Sequence, residues 1–379
     1  SDFKFSIVVP IHSPKMEFLE RAVNSVKAQI FGNWELILVD DASNDSELSG
    51  YLDNLKQADS RIQSFQLKEH KHISNCMNQG VELSNGSWVG FLDQDDELAE
   101  HALFSVVQFL KDNPDAKILY TDEDKIEENG NRVDPYFKPD WNPKLLLSQN
   151  YFCHFLAIEK KLFEDLGGFR KGFEGAQDWD LCLRASLELE DRMIGHIPQV
   201  LYHWRIHEGS TSLSMNEKGV WVKKAQEKTI LSHLKSTKMI GIPRRTSGNH
   251  WEILPSSCFQ VPKTCVVYYG DKPNSSDSKI IESAMERSNY SECEYFFPEE
   301  WSFASFSSVY KKNNLKSLIS RYECTIFLKA GIEPLHSDWI KRFVYNCSDQ
   351  NTGFVGPKLL HPATSRIISA GMILQKEKI

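Results

Sequence analysis

"SWVGFLDQDDEL", residues 87 to 98, sets an apolar stretch directly against a cluster of acids. Trp88, Val89, Phe91 and Leu92 read as a buried strand. Asp93, Asp95, Asp96 and Glu97 crowd its end with no Lys or Arg among them. Carboxylates repel one another and resist leaving water, so such a cluster needs a reason. It can hold a cation, act on protons, or be a solvated turn. The order of the elements around it decides how much weight each reading carries.

Working back toward the N-terminus, "FSIVVPIH" (5–12) is an apolar run closed by Pro10. "EFLERAVNSVKAQ" (17–29) has helical spacing, and "WELILVDDAS" (34–43) is a second apolar run ending in acids. Strand, helix, strand with continuous apolar strands signals a βαβ unit and a parallel sheet. "SELSGYLDNLKQ" follows as a helix and "RIQSFQL" (61–67) as a third strand. "NCMNQGVELSNG" (75–86) is a helix with an Asn85-Gly86 stop, which makes "SWVGFLDQDD" (87–96) the fourth strand. The acids therefore fall at the carboxyl end of a parallel strand, the edge where open α/β sheets bind ligands.

Past the acids, "HALFSVVQFLKDNP" reads as an amphipathic helix and "AKILYTDEDKI" (116–126) as a strand. Residues 127–150, polar and proline-bearing, read as a loop or lid. "FCHFLAIEKKLFEDLGGF" gives a strand, a short helix and a Gly167-Gly168 stop. "AQDWDLCLRASLE" (176–188) sets Trp179, Leu183 and Leu187 on one helical face. "HIPQVLYHWRIHEGSTS" (196–212) is a strand, "VWVKKAQEKTILSHLKS" (220–236) a helix, and the first unit closes near 240.

After a linker at 241–262, a second unit begins at 263 with "TCVVYYGD", then "SKIIESAMERS" and "ECEYFFPE". "ECTIFLKAGIEPLHSDWIKRFVYN" (323–346) repeats the layout of the opening stretch, so the chain carries a divergent internal repeat. Lys329, Ala330 and Gly331 stand where Asp93 to Asp95 would be.

The totals narrow the classes. At 379 residues, two domains is the natural prior. A net charge of -8 argues against nucleic acid as a partner. No window approaches the roughly 18 apolar residues of a membrane span. The eight cysteines include no CxxC pair, so they read as reduced, buried side chains of a cytosolic protein. "SDFKFSIVVP" shows no signal-peptide pattern, and both ends read as boundaries within a longer chain carrying further domains.

Five motifs in order carry a resemblance: "SIVVPIHSP", "WELILVDDASND", "GSWVGFLDQDDEL", "GGFRKGFEGAQDWDLCLR" and "VLYHWRIHEGSTS". Together they resemble the inverting family-two nucleotide-sugar glycosyltransferases, which have the α/β GT-A fold, a Rossmann-like, mainly parallel sheet flanked by helices. The second unit, through "VGPKLLHPATSRIISAGMIL", resembles a partial and non-catalytic GT-A-like domain.

The resemblance implies a metal-dependent transfer of sugar from a nucleotide diphosphate, UDP- or dTDP-linked, to a saccharide or lipid-linked saccharide acceptor. A hard cation, Mn²⁺ or Mg²⁺, would stabilise the departing diphosphate. Asp95 resembles the metal-binding acid of the family's DxD motif, with Asp93 on the ribose or sharing the metal and Asp96 supporting the loop. His207, in "RxHxxS", matches a further metal ligand, with His203 as the alternative. Asp41 resembles the acid that accepts from the base N–H, with Asp40 beside it, and Pro10 and His12 line the same crevice. Capping of the following helix is the plain alternative for both acids.

His72, Asn75 and Asn78 match a stretch facing the nucleotide sugar, or else a capped helix start. Asp178 matches the general base, although many relatives carry Glu where Gln177 stands here. Asp180, Arg170, Trp179 and Arg205 read as sugar, acceptor or phosphate contacts, with packing the alternative for Trp179 and pairing with Asp178 or Asp180 for Arg205. Asp122 and Asp124 read as partners of donor hydroxyls. The rival reading of the whole is a catalytically silent glycan-binding or scaffold module of a polysaccharide synthase.

Overall fold

The first apolar runs become β1 (Phe5–Ile11) and β2 (Trp34–Asp40), buried almost throughout, as strands covered on both faces must be. They pair in parallel, with Phe5 opposite Trp34. β3 (Ile62–Gln66) lies outside β2, and β4 (Trp88–Phe91) lies on the other side of β1, with Phe5 opposite Trp88 and Val8 opposite Phe91. Helices α1 (Met16–Lys27), α2 (Ser46–Ala58) and α3 (His72–Leu83) make the crossovers. Asp45 caps α2 by accepting from the Glu47 and Leu48 amides. α3 approaches the sheet so closely that a Cβ on Gly80 would meet Val8 Cγ1 at 2.4 Å, so only glycine fits there.

This is a computed structural model, and it describes residues 3–207, 217–260, 262–269, 273–288, 290, 293–298, 309–310, 314, 317, 320–347, 358–360 and 367–370. The chain divides into two units, Ser1–Met239 with Arg245–Glu252, and Ile240–Arg244 with Ile253–Ile379.

β4 stops at Phe91, sooner than the apolar pattern suggests, and the acids occupy the turn beyond it. β5 (Glu97–Leu98) and α4 (Ala102–Asp112) follow. Residues 127–150 are more ordered than a loop or lid. β7 (Arg132–Tyr136) pairs with β6 (Ile118–Ile126), and α5 (Pro143–Ser148) is capped by Asn142. β8 (Leu156–Glu159) runs antiparallel to β4 and β6, and α6 (Lys160–Asp165) precedes two glycines at positive φ. α7 (Gln177–Glu188) buries Trp179 and Leu183, but Leu187, in its last turn, is exposed.

β9 (Ile194–Arg205) completes the sheet order β3-β2-β1-β4-β8-β6-β9-β5, and α8 (Glu217–Thr237) follows. The strand expected over 196–212 thus ends at Arg205, and 208–212 lie outside the described residues.

The stretch read as a linker holds a hairpin, β10 (Gly241–Arg245) and β11 (Trp251–Pro255). In the second unit β12 (Thr264–Tyr269), β13 (Cys293–Pro298), β14 (Val309–Tyr310) and β15 (Cys324–Lys329) form a sheet ordered β14-β13-β12-β15. β12 is parallel to both neighbours, with Thr264 opposite Cys293 and Cys324. Val266, Tyr268 and Leu328 pack with Ile281 of α9 (Ser275–Glu286) and Ile340 of α10 (Trp339–Cys347). Of the final stretch, "VGPKLLHPATSRIISAGMIL", β16 (Lys358–Leu360) and β17 (Ile367–Ala370) are described, as an antiparallel pair. All eight cysteines are free; Cys76, Cys182 and Cys265 are buried as expected, whereas Cys153, Cys293, Cys324 and Cys347 are only partly buried and Cys258 is exposed.

Candidate active site

The turn after β4 solves its crowding by dividing the acids between two environments. Asp96 is fully buried, accepting from the Tyr202 hydroxyl at 2.6 Å and from the Arg205 backbone N–H at 2.8 Å. Burial, then the charges of Asp93 and Asp95, push its carboxyl well above the usual range. Glu97 pairs with the Arg205 guanidinium, whose Nε also donates to the Asp95 carbonyl at 2.8 Å. The Tyr202 oxygen accepts from the Asp93 N–H at 3.2 Å. β9 therefore braces the turn from behind, and Asp93 and Asp95 line a cavity in front. Tyr202 is a supporting residue that the sequence reading missed, although it stands inside the motif "VLYHWRIHEGSTS".

Asp95 Oδ2 lies 2.7 Å from His207 Nε2. Of the two candidate histidines, His207 is the one beside the acid turn. His203 is buried, with Nδ1 2.7 Å from Asp124 Oδ1, and burial lowers its pKa. Asp95 and His207 set one oxygen and one nitrogen donor side by side, donor types that a divalent cation accepts, and the half-buried Asp93 stands two residues away in the same turn.

The cavity in front of the turn encloses about 520 Å³ and is lined by Pro10, His12, Asp41, His70, Asp93 and Asp95, among others. Asp41 is fixed there by the Lys71 N–H at 2.7 Å and by His70 Nδ1 at 2.8 Å. Gln94 Oε1 accepts from the His12 N–H at 2.9 Å and so ties the first strand's exit to the acid turn. Among the described residues, His12, Asp41 and His70 are the one set of three His, Cys, Asp or Glu side chains with ligand atoms within 4.8 Å of one another, close enough to hold a metal ion. Asp40 turns away, buried and bonded to Ser43 and Gln66. His72 lines the cavity, whereas Asn75 donates to the Lys71 carbonyl and Asn78 bridges to the Phe169 backbone.

Behind Asp93 runs a chain of charges with no sequence signature. Lys138, fully buried at its side chain, donates to Glu123 at 3.1 Å and to the Phe152 and His154 carbonyls. Burial alone would raise the Glu123 carboxyl. The bond with His154 and the charge of Lys138 outweigh it and hold the group down at about 2. Burial works against a proton on His154, but Glu123, with Asp93 and Asp96, pushes its pKa up to about 9. Its Nε2 lies 4.0 Å from Asp93 Oδ2, and its ring stacks on Tyr202. Desolvation first, then Asp95 and Asp178 against the opposing pull of His154, push Asp93 up to about 6.

Asp178 opens α7 and lines a second cavity of about 350 Å³. Asn150 Nδ2 donates to its Oδ2 at 2.7 Å. Gln177 turns to the Gly175 N–H, at 2.6 Å. The remaining sugar or acceptor candidates have protein partners. Asp180 is buried between Arg170 and Arg184, and Trp179 is buried with Nε1 on the Leu146 carbonyl, although it borders the second cavity. Arg205 is fully buried on Glu97, away from the pairing with Asp178 or Asp180 that its spacing allowed. Asp122 is buried on His196 and the Lys138 N–H, and Asp124 on His203 and Arg132. These two belong to a strand flanked by β7 and β9, and charges desolvated there must be paired.

An α/β sheet with a cavity and paired acids at its carboxyl edge fits the GT-A arrangement. Residues 6–167 match Glycosyl transferase family 2, and this segment is a family-two glycosyltransferase domain. The chain is 33% identical over 396 residues to uncharacterized protein y4gI of Sinorhizobium fredii, covering 97% of this chain and 43% of that one. It is 30% identical over 392 residues to the O-antigen biosynthesis protein RfbC of Myxococcus xanthus, covering 94% and 29%. The chain thus spans less than half the length of these relatives. A crystal structure of S. aureus TarS 1-349 in complex with UDP-GlcNAc matches with a TM-score of 0.46 and 18% identity, over 61% of this chain and 73% of that one. No described helix is long and apolar enough to cross a membrane.

Proposed function

We propose that the first unit is a metal-dependent, inverting glycosyltransferase that uses a UDP- or dTDP-linked sugar in surface polysaccharide or glycoconjugate synthesis. The observation that carries this reading is the convergence of Asp95 and His207, 2.7 Å apart, at the edge of the cavity that also presents Asp41. Asp95 and His207, with Asp93 beside them, would hold Mn²⁺ or Mg²⁺, whose charge favours departure of the nucleoside diphosphate. Asp41 and the Pro10–His12 exit are suited to the base, since they lie on the end of the cavity formed by the first two strands.

Asp178 would take the acceptor hydroxyl proton as the acceptor oxygen forms its bond to the anomeric carbon. The bond to the diphosphate breaks on the opposite face, which inverts the configuration. Asn150 holds one Asp178 oxygen and leaves the other for that proton. Use of a nucleotide sugar fits a cytoplasmic protein or one peripheral to the inner membrane face. The second unit we read as a partial copy without catalysis, because Lys329, Ala330 and Gly331 occupy the acid positions.

A donor panel assayed by released nucleoside diphosphate tests the proposal. Release that needs Mn²⁺ or Mg²⁺ and is lost in Asp178→Asn agrees with it. Undiminished release in chelator, or a product of retained configuration, counts against it.

A further inference from the structure

The cavity beside Asp178 has a chemical character separate from the donor crevice. Four amide side chains line it, Gln149, Asn150, Gln226 and Asn249, together with the indoles of Trp179, Trp204 and Trp251. Asp178 is its one charged group, and no Lys, Arg or His lines it among the described residues. Amides offer both donors and acceptors, as a ring of sugar hydroxyls requires. Indole surfaces suit the apolar C–H face of a pyranose.

We infer that this cavity is a subsite for a neutral saccharide unit, an uncharged hexose or N-acetylhexosamine, and that it discriminates against uronic acids and phosphorylated sugars. The inference rests on the reading of Asp178 as the base. An anionic acceptor would meet the Asp178 carboxylate with no cation to offset it. A volume of about 350 Å³ suits one sugar unit better than a long oligosaccharide segment.

The subsite is also built in advance. Trp251 is buried, with its carbonyl accepting from Ser148 Oγ at 2.7 Å and its Nε1 donating to Gln226 Oε1 at 3.3 Å. Asn249 sits at a φ of 64°, in a turn that leaves its side chain exposed. Apart from Gln149 and Asn150, the amides and indoles all lie beyond residue 167, outside the stretch matching the family. Acceptor choice is then a property of this chain's later elements, the 245–252 segment among them.

Saturation-transfer NMR on the 379-residue chain reads the preference directly. The probes are methyl N-acetylglucosaminide, methyl glucoside and methyl glucuronide, with UDP titrated separately. The neutral glycosides should bind and the glucuronide should bind about tenfold more weakly. Gln149→Lys should narrow that gap. Asn249→Gly, which keeps the left-handed backbone accessible, should weaken the neutral glycosides. UDP affinity should not move in either variant.

Glucuronide bound as tightly as the neutral probes overturns the inference. So does binding of no glycoside, or neutral binding that neither substitution changes. A neutral preference that follows both substitutions in a chain binding no UDP would support the subsite while defeating the transferase reading.

Discussion

The two sheets of this chain build the same edge and furnish it differently. In the first, β1 takes β2 and β4 as parallel neighbours, with Phe5 opposite both Trp34 and Trp88. In the second, β12 takes β13 and β15, with Thr264 opposite both Cys293 and Cys324. Counting along the registers from these shared starts, Phe91 corresponds to Phe327 and Asp93 to Lys329. The turn that follows closes with the same bond in each, Asp96 N–H to the Asp93 carbonyl at 3.2 Å and Ile332 N–H to the Lys329 carbonyl at 3.3 Å. One turn carries three aspartates and the other Lys, Ala, Gly and Ile. The backbone therefore forms without the acids, and the first unit recruits Tyr202, Arg205 and the Lys138–Glu123–His154 chain to keep them.

The comparison can be broken or sharpened by substitution, beginning with the largest effect. Asp178→Asn should lower transfer by about 10²–10⁴-fold while leaving UDP affinity intact. Parallel loss of UDP binding would mean that Asp178 serves the donor instead.

Glu123→Gln should cost about 3–5 kcal/mol in urea unfolding, because it leaves the buried Lys138 without its countercharge. Its sign with pH is fixed. Glu123 is held at about 2, below its ordinary 4.5, so its contribution is whole above about 4.5 and declines as pH falls toward 2. The thermal midpoint of Glu123→Gln should depend less on pH over that window; an unchanged slope would contradict the assigned charge.

Tyr202→Phe takes a hydroxyl from the buried Asp96 and should cost about 1–3 kcal/mol, with weaker UDP binding as the acid turn loosens. The smallest effect belongs to the second edge. Lys329 is exposed, so Lys329→Asp should leave stability within about 0.5 kcal/mol and turnover unchanged. A change in turnover there would give the second edge a part in catalysis.

The strands that make the edge were legible because they are continuous apolar runs, and the acids were legible because they interrupt one. The pairing of His207 with Asp95 was legible through motif order, since no local pattern joins residues so far apart in sequence. What escaped notice depends on pairing between distant segments. β7 and α5 are short, β7 contains Pro135 and α5 begins on Pro143, and β7 gains its order from β6. β9 pairs with that same β6 as far as Ile126, and this buries Asp122 and Asp124 and brings His196 and His203 to them, as β7 brings Arg132. His154 meets Glu123 and Asp93 only because β8 returns antiparallel between β4 and β6. No spacing rule in the sequence marks these contacts.

The central claim is that the acids at 93 to 96 bind a nucleoside diphosphate through a divalent cation. Calorimetry of UDP with the unaltered chain and with Asp95→Ala, each with and without Mn²⁺, tests it most directly. The account predicts heat of binding that requires Mn²⁺ and is lost in Asp95→Ala. UDP binding equally well without metal and without Asp95, or no heat at millimolar UDP, would contradict it.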